Sequence, residues 1–433
     1  MAQHDPRKLL LRSFEAAVGA ADPLRIVPPH LSGVLPGPAT GRTLVVGAGK
    51  AAAAMALAVE RNWPAMMALD GLVLTRYGHS LPLERIKVVE AGHPLPDKHG
   101  EKGTRTILAE VRKLRADDLL LCLLSGGGSS LLSLPVEGVS LDDLKTITSE
   151  LLRCGAPIQE INTVRKHLSA VQGGRLAAGC RAPVMALIIS DVTGDNPTNI
   201  ASGPCAPDPT TYSDALAVIG RYDIDAPAAV TTTLQAGARG ERDETPKQGD
   251  KHLRRVENRV IATAYTALQA AAEYLRSEGI NTAILSDSIT GEAREVAKVL
   301  AAVAKQIRQH QHPWKTPVAL ISGGETTVTI GKTGRHGRGG RNTEFLLALA
   351  VELAGKDNIH ALACDTDGID GSENNAGAFV APHSLQRATQ HGLDPAALLA
   401  THDTYAFFQQ LDDLVVTGPT RTNVNDYRAI LVF

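Results

Sequence analysis

Aromatic side chains are scarce in this chain of 433 residues: 6 Phe, 2 Trp and 7 Tyr offer little surface on which the bases of a single-stranded nucleic acid could stack. An excess of either charge is also lacking. Lys plus Arg number 44 and Asp plus Glu 46, so the formal net charge is −2, far from the surplus of a dedicated nucleic-acid binder, and any cationic site has to be local. The five cysteines, Cys122, Cys154, Cys180, Cys205 and Cys364, are scattered without a C-x-x-C pair. That excludes a disulfide framework and a thiolate zinc site, and fits a reducing compartment. The opening MAQHDPRKLLLRSFEAAV lacks the apolar run of a signal peptide, and no stretch approaches the roughly 18 apolar residues that span a bilayer. The expectation is a cytoplasmic protein without a membrane partner. H-E-x-x-H and G-x-S-x-G are missing too, which removes the simple metalloprotease and esterase readings.

Hydrophobic residues at 43% and charged ones at 21% are ordinary globular usage, and the length suggests two or three domains. Apolar runs alternate with helical patterns. A first strand begins near Thr43, AAAAMALAVE reads as helix, and GLVLT (71–75), KVVEAG (87–92), DLLLCLLSGGG (118–128) and PVMALIISDVTGD (183–195) read as strands. These runs do not alternate with polar residues, so the pattern predicts an α/β fold with a parallel sheet covered by helices on both faces. The polar, charge-mixed stretch AGARGERDETPKQGDKHLRR (236–255) marks a linker or exposed excursion. A second unit follows, with strands at TAILSD, PVALISGGETTVTI and HALACDTDGIDG, and a last strand near 428–433. The division is expected at 245/246, giving domains 1–245 and 246–433.

Four glycine-rich loops could hold phosphate. In VVGAGKAAAAMA a strand ends at Gly47, Ala48, Gly49 and Lys50 and a helix starts at once. Glycines allow close backbone approach, a helix N-terminus offers amides, and Lys50 adds a full charge. As a dinucleotide fingerprint the loop is incomplete, because Thr75-Arg76 stands where the ribose-binding acid belongs, and it is not a Walker A loop. A tight turn with a solvated lysine is the plain alternative. The second loop, Ser125, Gly126, Gly127, Gly128, Ser129 and Ser130, has the makings of an anion nest, or of a flexible turn. The third places Ser322, Gly323 and Gly324 beside Glu325, where a hairpin would explain the glycines equally well. The fourth, GKTGRHGRGGRNTEF (331–345), gathers Lys332, Arg335, Arg338 and Arg341 before a helix capped by Asn342 or Thr343.

Among the acids, Asp191 follows the strand ALIIS and Asp195 lies four residues on, where a carboxylate at a strand end could ligate magnesium or orient a hydroxyl, or simply close a turn. Asp365, Asp367 and Asp370 read as a strand-end acidic turn, not a calcium loop, since the position twelfth from Asp365 is Ala376. His93 and His167 have no spaced metal partner and read as structural. Local cations, small-residue loops and strand-end carboxylates together suit phosphoryl transfer.

In order along the chain, VVGAGKAA, EAGHPLPD, LLSGGGSSLL, INTVRKHLSAVQGGRLA, LIISDVTGD, ASGPCAPDPTTY, SGGETTV, GRGGRNTEF, DGIDG and TGPTRTNVND resemble the glycerate 2-kinase family, with its C-terminal MOFRL domain. The resemblance implies a Rossmann-like, doubly wound N-terminal domain, a smaller α/β C-terminal domain, and an active site in the cleft between them. It implies phosphorylation of D-glycerate at the 2-hydroxyl by ATP with Mg2+, giving 2-phosphoglycerate. Lys50 and Arg341 fall on the family's essential lysine and arginine, Asp191 on a catalytic or metal-binding carboxylate with Asp195 as its companion, and Arg165 among the substrate- or nucleotide-binding residues. Asn196, Thr198 and Asn199, and Glu373 with Asn374 and Asn375, depart from the family's pattern. The rivals are an NAD(P)H-dependent hydroxypyruvate reductase and a phospholigand-sensing module without chemistry. Both Lys50→Ala and Arg341→Ala are expected to leave the fold intact, as loop charges do. Oligomeric state is left open, a homo-oligomer included.

Overall fold

The computed structural model describes residues 5–31, 41–330, 337–356 and 358–433. Lys332 and Arg335 of the fourth loop lie outside them. The chain forms two compact units, Pro23–Ile261 and Met1–Asp22 with Ala262–Phe433.

The first unit is built on β1 (Thr43–Ala48), β2 (Leu69–Arg76), β3 (Ile86–Ala91), β4 (Leu119–Leu124), β5 (Val184–Ile189) and β6 (Val256–Ala262), in the spatial order β3-β2-β1-β4-β5-β6. The pairs β1/β2, β1/β4, β2/β3 and β4/β5 are parallel. Every residue of β1 and β5 is buried, which is why these strands are continuous in apolar residues. Leu44, Val46, Leu120, Cys122 and Ile188 belong to one core with Ile107 and Leu108 of the helix Lys98–Val111. The order turns back between β1 and β4, and ligands of doubly wound sheets collect outside the carboxyl ends of the strands at that place. Four helices, Leu141–Arg153, Ile158–His167, Tyr212–Arg221 and Ala228–Ala238, make a core of their own around Ile147, Leu151, Val164 and Tyr212.

The second unit holds β7 (Asn281–Ser286), β8 (Gly291–Glu292), β9 (Val318–Ser322), β10 (Thr326–Thr327), β11 (Ile359–Asp365), β12 (Gly377–Val380), β13 (Leu414–Val415) and β14 (Asp426–Val432). Its six-stranded sheet runs β13-β12-β11-β14-β9-β7, with β14 antiparallel to both neighbours and β7 parallel to β9. The ends of β7, β9 and β11 and the start of β14 therefore share one edge. The glycines of SGGETTV do not turn a hairpin: β10 leaves β9 and pairs in parallel with β8. Gly324 takes a φ of +98°, and a Cβ there would sit 2.3 Å from the Ile289 backbone.

The expected division into 1–245 and 246–433 does not follow the packing, for two reasons. The Val184 amide donates to the Arg255 carbonyl (2.9 Å), and β6 completes the edge of the first sheet, so 246–261 stays with the first unit. The helix Pro6–Ala20 belongs to the second. Asp5 caps it through the Arg7 amide (3.0 Å), Leu10 and Phe14 are buried, and the Phe14 ring lies 5.8 Å from that of Tyr427. The Tyr427 hydroxyl donates to Ser13 Oγ (2.7 Å), and the Arg7 guanidinium pairs with buried Asp413 (3.0 Å). An amphipathic helix far away in sequence leaves no local sign of the sheet it covers. Among the described residues, no helix is long and apolar enough to cross a membrane.

His360 on β11 stacks on Phe379 and meets Phe433 edge-on, and its Nδ1 has no hydrogen-bond partner. Burial lowers its pKa to about 4. The unfolded chain therefore binds this proton first, and the stability from keeping the ring neutral is present above about pH 6.5 and lost as pH falls toward 4. Denaturant titration should show about 2 kcal/mol of loss across that window, after allowance for the ring's partial exposure. The His360→Asn variant should be flatter there; an unchanged slope would show that other groups cause the loss.

Candidate active site

The loops after β1 and β4 meet at the reversal of strand order. The Lys50 amide donates to the Gly126 carbonyl (2.8 Å), the Ala51 amide to Ser125 Oγ (3.0 Å), and the Ala52 amide to the Gly49 carbonyl (3.1 Å). Gly49 takes a φ of +141°, and a Cβ there would lie 2.1 Å from Ser125 Oγ. This glycine is thus required by the neighbouring loop. The sequence reading offered the helix amides to a phosphate, but those of Lys50, Ala51 and Ala52, at the turn and the helix start, are already engaged inside the protein. What the turn presents is the half-buried Lys50 side chain.

Gly47 pairs opposite Leu123 in the sheet and serves close strand packing: a Cβ would lie 2.3 Å from the Leu123 carbonyl oxygen. In the second loop Gly127 has φ +79°, and its would-be Cβ approaches the His93 ring (2.9 Å) and Lys50 Cγ (3.5 Å). Lys50, His93 and Gly127 are therefore neighbours. The sequence reading took His93 as structural for want of a spaced metal partner, since its neighbours come from other segments. Gly128 packs against Ala201, where a Cβ would be 2.5 Å from the alanine's own. Ser202 Oγ donates to Asn162 Oδ1 (3.0 Å) and lies 2.8 Å from Ser129 Oγ, whose hydroxyl can donate to it, tying the loop to the helix Ile158–His167. Ala201, Ser202 and Gly203 all take positive φ, between +50° and +59°, so two residues with side chains hold a conformation that costs energy. Neither Asn162 nor Ser202 was singled out, because neither residue type carries a motif by itself.

Arg165 lies one turn beyond Asn162 on that helix. Burial lowers its pKa to about 10, and its Nε donates to Thr148 Oγ1 at 3.5 Å, with no ion-pair partner among the described residues. Its neighbour Lys166, by contrast, is paired with buried Asp208 (3.2 Å). A half-buried guanidinium with no carboxylate partner among the described residues suits an external anion. Asp191 and Asp195 leave the carboxyl end of β5, both half-buried, in a turn where the Asp195 amide donates to the Val192 carbonyl (3.0 Å). Asn196 and Thr198 shape that turn, since the Thr198 amide donates to Asn196 Oδ1 (3.1 Å). Among the described residues no group of three or more His, Cys, Asp or Glu could hold a metal ion. Two carboxylates in one turn nonetheless fit magnesium, a hard cation bound through one or two carboxylates, waters and substrate phosphates.

In the second unit, Asp365 and Asp426 stand directly opposite on β11 and β14, an arrangement of like charges that needs a cation. Arg341 supplies it. Its Nε donates to Asp426 (2.8 Å), its Nη2 to Asp365 (2.7 Å) and its Nη1 to Glu325 (2.5 Å). Burial by itself would lower its pKa, but Asp426, Asp365 and Glu325 hold it well above the ordinary value. Arg428 joins through Asp426, so three carboxylates meet two guanidiniums and the cluster is anionic by one charge. The expectation that Arg341 could be removed without harm to the fold does not agree with this network. Asp370, fully buried, accepts from the Asn342 and Thr343 amides (2.9 Å each) and so caps the helix Arg341–Leu353 from a distance. The N-cap position itself is Gly340, not Asn342 or Thr343. The Gly323 amide donates to Ser286 O (2.8 Å) and its carbonyl accepts from Arg428 (3.0 Å), which leaves buried Ser322 and this turn with a structural part. Arg338 lies over the Tyr405 ring (4.8 Å) and pairs with Glu373 (3.5 Å).

The profile of a domain of unknown function, DUF4147, matches residues 9–235, and that of the MOFRL family matches 318–426. A protein of Agrobacterium vitis, provisionally named a hydroxypyruvate reductase, is 50% identical over 98% of this chain and 94% of its own. A glycerate 2-kinase of Pyrococcus horikoshii is 39% identical over 98% of this chain and 97% of its own. The crystal structure of a glycerate kinase from Thermotoga maritima, 39% identical, superposes with a TM-score of 0.86 over 99% of both chains. Aligned with such relatives nearly end to end, and carrying both profiles in that order, the chain belongs to the glycerate 2-kinase family.

Proposed function

We propose that this chain transfers the γ-phosphoryl group of ATP to the 2-hydroxyl of D-glycerate, with magnesium, giving 2-phosphoglycerate and ADP. The observation that carries the reading is the loop after β1. It presents a lysine at the reversal of strand order, as phosphoryl transfer needs, while the amides of Lys50 and Ala51 at the helix entrance are engaged by the loop after β4. A nicotinamide dinucleotide would need those amides for its pyrophosphate and an acid at the end of β2 for its ribose, where Thr75 and Arg76 stand. The reductase name of the Agrobacterium relative therefore transfers poorly to this site, and the kinase names agree with it better.

In this reading Lys50 binds phosphate oxygens, with Ser125, Gly126, Gly127, Gly128 and Ser129 shaping the loop beside it. Arg165 takes the carboxylate of glycerate. Magnesium, when bound, neutralises phosphate charge, and Asp191 with Asp195 would hold it. Arg341 orders Glu325, Asp365 and Asp426, and two of its N–H groups remain for substrate oxygens. Both Lys50 and Arg341 are required.

Purified protein given D-glycerate, ATP and magnesium should form 2-phosphoglycerate, read by phosphorus NMR. Hydroxypyruvate-dependent oxidation of NADH or NADPH without any phosphoglycerate would overturn the proposal. Lys50→Ala should lower kcat about 100-fold or more at nearly unchanged stability. Arg341→Ala should lose turnover and also about 3 kcal/mol of stability, because three carboxylates are left facing one another. Equal stability losses in the two variants would contradict this division of roles. Arg165→Ala should raise the KM for glycerate at least tenfold with the KM for ATP unchanged, while its melting temperature stays level or rises, since an unpaired desolvated charge is removed. A shift in both KM values alike would count against a carboxylate contact.

A further inference from the structure

The stretch GDKHLRR ends the polar segment 236–255, and the proposed reaction makes no use of it. It lines a pocket of about 480 Å3 in the first unit, within the size range of small-molecule sites. One wall is the turn Cys180–Arg181 after the short helix Arg175–Ala178. The other is the turn Lys251–Leu253 with Arg254 and Arg255, and Val184 and Val256 supply apolar floor. Four cations, Arg181, Lys251, Arg254 and Arg255, and the imidazole of His252 thus border one cavity, and no carboxylate lines it.

None of the four cations has an ion-pair partner among the described residues, whereas Arg42, Arg105 and Arg239 on the same unit each pair with an acid. Of the nearby acids, Asp250 is held by the ring and amide of His252 (2.9 Å each), and Asp118 accepts from the amides of Arg42 (2.9 Å) and Arg115 (2.7 Å). Four unpaired cations around one concavity raise its potential and draw multivalent anions. The bond from the Val184 amide to the Arg255 carbonyl (2.9 Å) places the pocket at the amino end of β5. The Lys50 loop is at the carboxyl end of the same sheet, about 20 Å away along the strands.

We propose that this pocket is a second anion site, which takes a small phosphate-bearing metabolite, a phosphomonoester or a diphosphate, independently of the reaction site. Arginine forks match phosphate oxygens in pairs, and the half-buried Cys180 and the valines accept the uncharged part of an ester. No Phe, Tyr or Trp lines the pocket, so it lacks the large aromatic platforms on which single-stranded nucleic acids stack.

Calorimetric titration of the full chain at low ionic strength tests this, with inorganic pyrophosphate in one arm and glycerol 3-phosphate in another. The Lys50→Ala variant, impaired at the reaction site, should still bind one equivalent of at least one of them. Adding Arg254→Ala and Arg255→Ala should weaken that binding at least tenfold, and Arg181→Gln should weaken it separately. These side chains are exposed, so the variants should melt like their parent. Unchanged binding in the Arg254 and Arg255 variant would overturn the proposal, as would loss of all binding with Lys50→Ala. Displacement by sulfate as readily as by the phosphate compounds would also overturn it, because the pocket would then select charge alone. The readout is binding, so failure of the kinase reading leaves the result interpretable.

Discussion

The first unit depends on a close approach of two backbones. Where β1 and β4 run side by side in opposite halves of the strand order, their exit loops interlock through Gly49, Ser125 and Gly126. A side chain at Gly49 would occupy the place of Ser125 Oγ, so the loops hold this geometry only with glycine there. The contact fixes the backbone at Lys50 and occupies the Lys50 and Ala51 amides. It also brings in His93, which comes from a third segment and touches Gly127. A loop that looks like a nucleotide-binding turn is in this way converted into a mount for one lysine.

In the second unit the governing constraint is electrostatic. Facing carboxylates on adjacent strands repel, and the pair Asp365 and Asp426 is stable only with a guanidinium between them. Arg341 stands at the first turn of a helix whose amides are capped by Asp370, so one loop fixes both the helix start and, through it, the arginine. Stability and site geometry are coupled here: the groups that could serve the reaction also hold the sheet edge together.

Arg165 and the pocket around Arg254 and Arg255 are two different ways in which a cation signals an anion. Arg165 is half-buried, and among the described residues it has a threonine but no carboxylate beside it, so its signal is partial burial without an ion pair. The pocket cations remain solvated, and their signal is number and convergence. A chain with a net charge of −2 shows neither, because both are local.

The alternation of apolar runs and helices identified the parallel sheet, and the glycine loops, Lys50, Arg341 and the strand-end acids were visible as residues, since period and composition are local properties. The ordered motifs also placed the chain in its family. The packing of the helix Pro6–Ala20, the assignment of 246–261 to the first sheet, the engagement of the Lys50 and Ala51 amides, the caging of Arg341 and the placement of His93, Asn162 and Ser202 were decided by tertiary structure alone. Each depends on groups tens to hundreds of residues apart, whose distance and desolvation come into being only when the chain has folded.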